Sequence, residues 1–194
     1  REAPYTGWLL LAWLCLFTHP LLDAATVYGT QLLWPLTEYP FGTASVFIID
    51  PAYTVPLLIG LGFALWGKSS SPRGSRVNLA MLGLSTSYLL FTLVLQGSAT
   101  EAIRDYAKQA GLPDGKLLVS PTPFNTVLWR GLIVAPDAYY VTYHSLYAPS
   151  AEPHFERYNN NVALLAPFQK SWAVNRLVWF TKGFNAVAEG DDKV

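Results

Sequence analysis

Long, nearly uninterrupted runs of apolar residues dominate the first half of the chain. Three of these runs, at residues 7–22, 46–66 and 77–96, contain a single charged residue between them, Asp50. An α-helix needs about 20 apolar residues, and not fewer than about 17, to cross the roughly 30 Å hydrocarbon core of a bilayer. The pattern therefore predicts three transmembrane helices, of which the run at 7–22 is the shortest.

After residue 97 the long apolar runs give way to shorter segments punctuated by glycine, proline and asparagine. Segments rich in β-branched and aromatic residues predict strands, and a serine ahead of an apolar helical pattern predicts a helix N-terminus. The predicted elements are a helix at 99–110, strands at 116–119, 126–134 and 138–146 with a hairpin turn at Pro136-Asp137, a loop at 148–161, a helix at 171–180 capped by Ser171, and a disordered tail at 188–194. Together they predict a small α+β domain.

The distribution of charge supports this division. The 194 residues have a formal net charge of zero, and only 13% of them are charged, against about 25% in a typical soluble domain. Residues 1–97 hold eight of the 26 charged side chains. We therefore predict a membrane α-helical region at 1–97 followed by an extramembrane α+β domain at 98–187, with the lipid bilayer as a partner. A neutral chain lacks the basic footprint of nucleic-acid binding, so that class of partner is excluded.

The loops between the apolar runs predict an orientation. Residues 67–76 carry three positive charges and no negative one, whereas residues 23–45 contain no lysine or arginine. Loops rich in lysine and arginine stay on the cytoplasmic side. The loop at 67–76 is therefore expected in the cytoplasm, and the loop at 23–45 and the domain at 98–187 on the extracytoplasmic side.

His19 and Asp23 close the first apolar run and are the first candidates for chemistry. Residues four apart lie on one face of a helix, one turn from each other, so this pair can bind one cation. Ionisable groups beside a membrane span are costly, which favours a functional role. The alternatives are a histidine held by a local hydrogen bond, a structural relic, a ligand to a pigment or cofactor, and a helix–helix hydrogen bond.

Asp50 and Arg130 are further candidates, each with a structural alternative. Asp50 directly precedes Pro51 at the start of the second apolar run, where it fits a helix N-cap, but its carboxylate could also be a third metal ligand or a general base. Arg130 follows Trp129 and could bind an anionic group, although an arginine stem often simply covers apolar surface.

Other chemically suggestive residues favour structural roles. Cys15 is the single cysteine, so it can form no intrachain disulfide and is expected to pack in the first span. Residues 62–69 match the phosphate-binding pattern GxxxxGK[ST], but that motif requires a preceding strand and a following helix, and here it ends a membrane span. His144 and His154 are isolated in the sequence and are weak candidates for ligands.

Several motifs occur in order along the chain and together resemble one known family. They are Thr-His-Pro-Leu-Leu-Asp-Ala at 18–24, Tyr-Gly-Thr-Gln-Leu-Leu-Trp-Pro at 28–35, Phe-Ile-Ile-Asp-Pro at 47–51, Pro-Thr-Pro-Phe-Asn at 121–125, Leu-Trp-Arg at 128–130, Phe-Glu-Arg-Tyr at 155–158 and Trp-Phe-Thr-Lys-Gly-Phe at 179–184. The chain thereby resembles the bacterial membrane-bound metal-dependent hydrolases, the YdjM-like group also described as LexA-binding, inner-membrane-associated hydrolases. The resemblance covers most of residues 8–187.

The resemblance implies a function and a cofactor. It implies an inner-membrane hydrolase with a divalent metal ion, most simply zinc, that cleaves an ester or phosphoester. The position of the His19/Asp23 pair at the membrane boundary favours a lipid-linked or headgroup substrate. His19 and Asp23 match the second histidine/aspartate motif of the family as metal ligands, with Asp50 as a ligand or general base and Arg130 as an anion clamp. The sequence departs from the family pattern because it lacks the usual N-terminal motif, His-Arg-x-x-Thr/Ser-His-Ser.

A non-catalytic function is the alternative. The chain would then be an accessory or structural subunit of a larger membrane protein complex, with the outer domain docking on a partner. The small residues of the third apolar run and the aromatic-rich strands favour this alternative, since small residues allow close helix contact in membranes.

Overall fold

The part of the chain that the structure describes contains four α-helices, one 3-10 helix and one β-sheet. The structure is a computed structural model, and it describes residues 4–66, 72–148 and 154–188. The elements are α1 (Tyr5–Asp23), α2 (Pro51–Trp66), α3 (Pro72–Gln109), β1 (Lys116–Pro121), β2 (Leu128–Val134), β3 (Ala138–Ser145), β4 (Glu156–Asn159), a 3-10 helix (Val162–Phe168) and α4 (Trp172–Phe180). Membrane-capable helices thus precede a small antiparallel sheet domain.

Helix α1 confirms the helix predicted at 7–22 and stands apart from the rest of the fold. None of its residues is buried, and it makes no substantial contact with any other described helix or strand. Exposure of an almost purely apolar helix to water would be costly. The natural surroundings of α1 are therefore lipid tails or another apolar helix.

Helix α2 begins at Pro51, five residues after the start of the apolar run at 46–66. The Asp50 side chain accepts a hydrogen bond from the Ala52 N–H at 2.8 Å and caps the helix there. The 16 residues of α2 span about 24 Å at 1.5 Å per residue. Among the described helices, α1 and α3 are long and apolar enough to cross a membrane, whereas α2 is a shorter apolar helix.

Helix α3 joins two predicted elements into one. The span predicted at 77–96 and the separate helix predicted at 99–110 form a single helix of 38 residues, since no proline interrupts the chain between them. Its length is about 57 Å, well beyond the hydrocarbon thickness of about 30 Å. The continuous helix therefore carries the membrane region directly into the sheet domain.

Helices α2 and α3 pack closely against each other. The buried Ser85 hydroxyl donates a hydrogen bond to the Tyr53 carbonyl at 2.9 Å. At Gly60, an added Cβ would lie 3.0 Å from the Met81 Cβ, so the absence of a side chain permits the contact. Gly83, in contrast, faces open space. Small residues thus promote the helix contact at Ser85, as the sequence indicated, but not at Gly83.

The sheet is an antiparallel meander in the order β1-β2-β3-β4. The predicted strands and the hairpin between β2 and β3 are confirmed. The predicted loop at 148–161 is wrong where β4 forms, and residues 149–153 of that loop lie outside the described residues. Strand β4 is stabilised by its neighbour, since Tyr139 on β3 and Tyr158 on β4 are register partners whose rings stack with centroids 4.9 Å apart.

The core of the domain lies between α3 and one face of the sheet. Ala99 and Ile103 on α3 pack with Val119 and Trp129 on the strands, and all four are almost fully buried. At Gly131, an added Cβ would lie 2.8 Å from the Ile103 Cγ2. The helix can therefore approach the sheet closely only because residue 131 has no side chain.

The C-terminal part of the description confirms the helix predicted at 171–180. Ser171 occupies the N-cap position but makes no side-chain capping bond. Lys182 and Gly183 follow α4 in left-handed conformations, with φ of 55° and 80°. The 3-10 helix ahead of α4 was not predicted from the sequence. Of the predicted tail at 188–194, only Ala188 lies in the described residues.

Candidate functional site

His19 and Asp23 lie in the last turn of α1, as their spacing predicts. The His19 Nε2 and the Asp23 Oδ2 are 3.5 Å apart, and both side chains are open, at 76% and 47% exposure. Two ligands of a tetrahedral zinc ion, each about 2.1 Å from the metal, are about 3.4 Å apart. The spacing of these two atoms therefore fits two ligands of one metal ion without rearrangement.

Asp50 is buried beneath the sheet domain, at 1% exposure. Its Oδ1 accepts the Ala52 N–H, and its Oδ2 accepts the Tyr88 hydroxyl at 2.9 Å. The Tyr88 hydroxyl is also 3.0 Å from the Thr126 Oγ1, and because its proton is given to Asp50, the threonine is the donor in that bond. Asp50 is therefore a helix N-cap and one end of a hydrogen-bond chain that crosses from α2 through α3 to the sheet domain.

The structure does not assemble Asp50 with the first pair into a cluster. Among the described residues, no group of three or more His, Cys, Asp or Glu side chains is arranged to hold a metal ion. Within this part of the chain His19 and Asp23 therefore form a pair without a third such side chain, and the roles of His19, Asp23 and Asp50 as ligands, or of Asp50 as general base, stay predictions.

Arg130 lies on β2 and is exposed. Its strand neighbours Trp129 and Gly131 are buried against α3, so the alternation of a strand places Arg130 on the opposite face of the sheet. Its register partners there are Ser120 and Tyr143. The position is accessible to an anion, and the anion-clamp role stays a prediction.

His144 is a core residue on β3. It is 7% exposed, and its ring centroid lies 5.7 Å from that of Tyr106 on α3. Burial lowers the pKa of the His144 imidazole below its ordinary value, because the charged form loses its hydration. His154, in contrast, is exposed at the start of the last described segment.

The lowered pKa of His144 predicts a loss of stability in acid. The folded state binds the imidazole proton more weakly than the unfolded state, so unfolding becomes more favourable as the pH falls below the ordinary histidine pKa of about 6.5. We expect the free energy of unfolding in detergent to fall between pH 8 and pH 5.5, and to fall less in His144→Phe. His154→Phe is the matched control and should keep the wild-type pH dependence. Equal pH dependence in wild type and His144→Phe would contradict this assignment.

A second polar site was not foreseen from the sequence. A cavity of about 530 Å³ lies where residues 27–44, α3, β1 and the turn after α4 meet, and Lys116 and Lys182 both line it. These two lysines are far apart in the sequence and match no motif. The sequence also does not predict the hydrogen bond between Tyr88 and Thr126, because a tyrosine in an apolar run and a threonine before a strand carry no local signal of their contact.

Two sets of contacts connect the segment between α1 and α2 with the rest of the fold. The Tyr88 hydroxyl connects Asp50 to Thr126, and the Lys182 Nζ lies 3.4 Å from the Val27 carbonyl oxygen, four residues beyond Asp23. The segment between α1 and α2 therefore touches the sheet domain.

Comparison with known proteins identifies a family for the membrane region. The family model described as YdjM inner membrane protein matches residues 1–99, which is just over half of the chain and includes α1, α2 and most of α3. No curated protein and no solved structure matches the chain.

Proposed function

The chain belongs to the YdjM inner membrane protein family, and from this premise we propose that it is a membrane-bound metal-dependent hydrolase. In this proposal His19 and Asp23 hold a divalent ion, zinc by preference, at the end of α1. The substrate is an ester or phosphoester, and a lipid-linked one fits the position of the pair at the end of an apolar helix.

The observation that carries this proposal is the distance of 3.5 Å between His19 Nε2 and Asp23 Oδ2. Imidazole nitrogen and carboxylate oxygen are common zinc ligands. A bound divalent ion supplies an activated water and polarises the bond to be cleaved. Further ligands would come from solvent. The two side chains are open, so such ligands have access to them.

Asp50 and Arg130 have different parts in the proposal. Because both oxygens of Asp50 accept hydrogen bonds, we assign it a positioning role at the base of the sheet domain. Arg130 is the candidate to bind an anionic substrate group from the exposed face of the sheet. We further propose that the sheet domain is periplasmic, because the basic residues of segment 67–76 favour a cytoplasmic position for that segment. Residues 67–71 of the segment lie outside the described residues.

Metal content of the purified full-length protein tests the proposal. We expect about one zinc or other divalent ion per chain after dialysis, measured by elemental analysis, and a loss of at least about tenfold in His19→Ala/Asp23→Ala. The fold should survive this change, because no residue of α1 is buried. Hydrolysis of a panel of chromogenic esters and phosphoesters should be lost in the same variant.

The matched control is Asp105→Ala/His154→Ala, which removes the same two residue types at exposed positions outside α1. This variant should keep the metal and the hydrolytic activity. Metal content that is unchanged by His19→Ala/Asp23→Ala, or that is lost equally in the control, would overturn the proposed metal site.

A second candidate function is that of a non-catalytic subunit in a larger membrane protein complex. The isolation of α1 favours it, since an apolar helix without a described helical partner is free to pack in an assembly. The same purification separates the two functions. A stoichiometric complex whose metal content is unaffected by His19→Ala/Asp23→Ala would favour the subunit.

A further inference from the structure

The cavity between the membrane helices and the sheet domain has an unusual set of lining residues. Its walls come from the α1–α2 segment, from α3, from β1 and from the turn after α4, and its volume is about 530 Å³. The polar lining residues are Tyr39, Thr43, Gln96, Thr100, Lys116 and Lys182. The lining contains two cationic side chains and no aspartate or glutamate. The chemistry of the cavity is therefore that of an anion site.

The two lysines converge on the cavity without strong partners. The Lys182 Nζ is 3.4 Å from the Val27 carbonyl oxygen, and the Lys116 Nζ is 3.4 Å from the carbonyl oxygen of Lys182. Both distances are long for a hydrogen bond from nitrogen, whose usual length is about 2.9 Å. Within the described ranges, neither ammonium group forms an ion pair. Each therefore has donor capacity left for a ligand.

The environment of Lys182 shows the same lack of a strong partner. Burial lowers the pKa of the Lys182 ammonium group, since a half-buried cation without a carboxylate partner loses hydration that it does not recover. An anion bound between Lys116 and Lys182 would give both ammonium groups a partner of opposite charge.

The backbone holds Lys182 in place at some conformational cost. Its φ of 55° is left-handed, a conformation that is uncommon for residues other than glycine and that here ends α4. The ammonium group lies over Gly42, where an added Cβ would be 2.8 Å from the Lys182 Nζ. The positioning of this cation thus depends both on its own backbone and on the absence of a side chain at residue 42.

We propose that this cavity binds a phosphate-class anion through Lys116 and Lys182. Two lining residues lie where apolar segments end, since Gln96 ends the apolar part of α3 and Val27 follows α1 by four residues. The cavity is therefore at a level that fits a phosphate at the membrane surface. The phosphate could be carried by an anionic phospholipid headgroup or by a soluble molecule. This inference goes beyond the proposed metal site and does not depend on it.

Two probes distinguish the sources of the phosphate. The full-length protein is reconstituted in nanodiscs or detergent and offered phosphatidylglycerol or phosphatidylcholine, with retained lipid measured by native mass spectrometry. Inorganic phosphate is titrated separately by calorimetry. Retention of phosphatidylglycerol in preference to phosphatidylcholine, without phosphate binding, assigns the site to an anionic headgroup, and binding of inorganic phosphate assigns it to a soluble ligand. Both outcomes support the proposal, and binding of neither probe overturns it.

Variants test whether the named residues form the site. We expect Lys116→Gln/Lys182→Gln to weaken binding at least about tenfold. Lys170→Gln removes an exposed lysine elsewhere and should bind as the wild type does. Thermal unfolding of each variant controls for misfolding. Equal binding by the double lysine variant and by Lys170→Gln would overturn the proposal.

Discussion

Replacement of Trp129 by alanine should lower the free energy of unfolding by about 3–5 kcal/mol, the usual range for removal of a buried aromatic side chain. Trp129 is fully buried, and it packs with Ala99 and Ile103 of α3 and with Val119 of β1. Its Nε1–H also donates a hydrogen bond to the Thr126 carbonyl at 2.9 Å. The substitution would therefore leave a cavity between the helix and the sheet and would free a backbone carbonyl near Tyr88.

Denaturant titration of the full-length protein in detergent measures this effect. Trp172→Ala is the matched control, because Trp172 is 78% exposed on α4, and we expect its cost to stay within about 0.5 kcal/mol. The cost of Trp129→Phe in unfolding free energy should lie between the costs of these two alanine variants, since phenylalanine keeps an aromatic ring but lacks the N–H donor. A cost below about 1 kcal/mol for Trp129→Ala would show that contact between α3 and the sheet does not stabilise the domain.

The packing of Trp129 illustrates what the sequence could predict. Strands β1, β2 and β3 follow from short stretches of β-branched and aromatic residues bounded by turn residues, and α1 follows from an apolar run. The sequence also suggested a boundary near Gly97, where the composition changes. The chain nevertheless continues as one helix, because a change of environment from lipid to protein does not require a break in backbone hydrogen bonding.

The features that the sequence did not predict depend on tertiary contacts. Strand β4 has only four residues, and its pairing with β3, rather than its own pattern, makes it a strand. Lys116 and Lys182 meet across one cavity only because the turn after α4 returns to β1. The proximity of His19 and Asp23 could be predicted because helical spacing is a local property of the sequence. The hydrogen bond between Asp50 and Tyr88 could not be predicted, because it depends on how α2 and α3 pack in space.

Asp50 is the residue for which the structural and catalytic interpretations differ most clearly. Replacement by alanine should cost about 3 kcal/mol in unfolding free energy, from loss of an N-cap worth about 1 kcal/mol and of a hydrogen bond to a charged group worth about 1.5–3 kcal/mol. Asp50→Asn should cost less, because an amide oxygen can still cap α2 at the Ala52 N–H. Tyr88→Phe should cost about 1–3 kcal/mol, since it leaves a buried carboxylate oxygen unpartnered.

The coupling between Asp50 and Tyr88 decides between the interpretations. The costs of Asp50→Ala and Tyr88→Phe should not add, because both remove the same 2.9 Å hydrogen bond, and a double-mutant cycle in detergent measures the difference. Metal content should stay at the wild-type level in Asp50→Asn if the carboxylate is a positioning group. Loss of metal in Asp50→Asn, with unfolding free energy unchanged and the two costs additive, would instead identify Asp50 as a ligand beside His19 and Asp23.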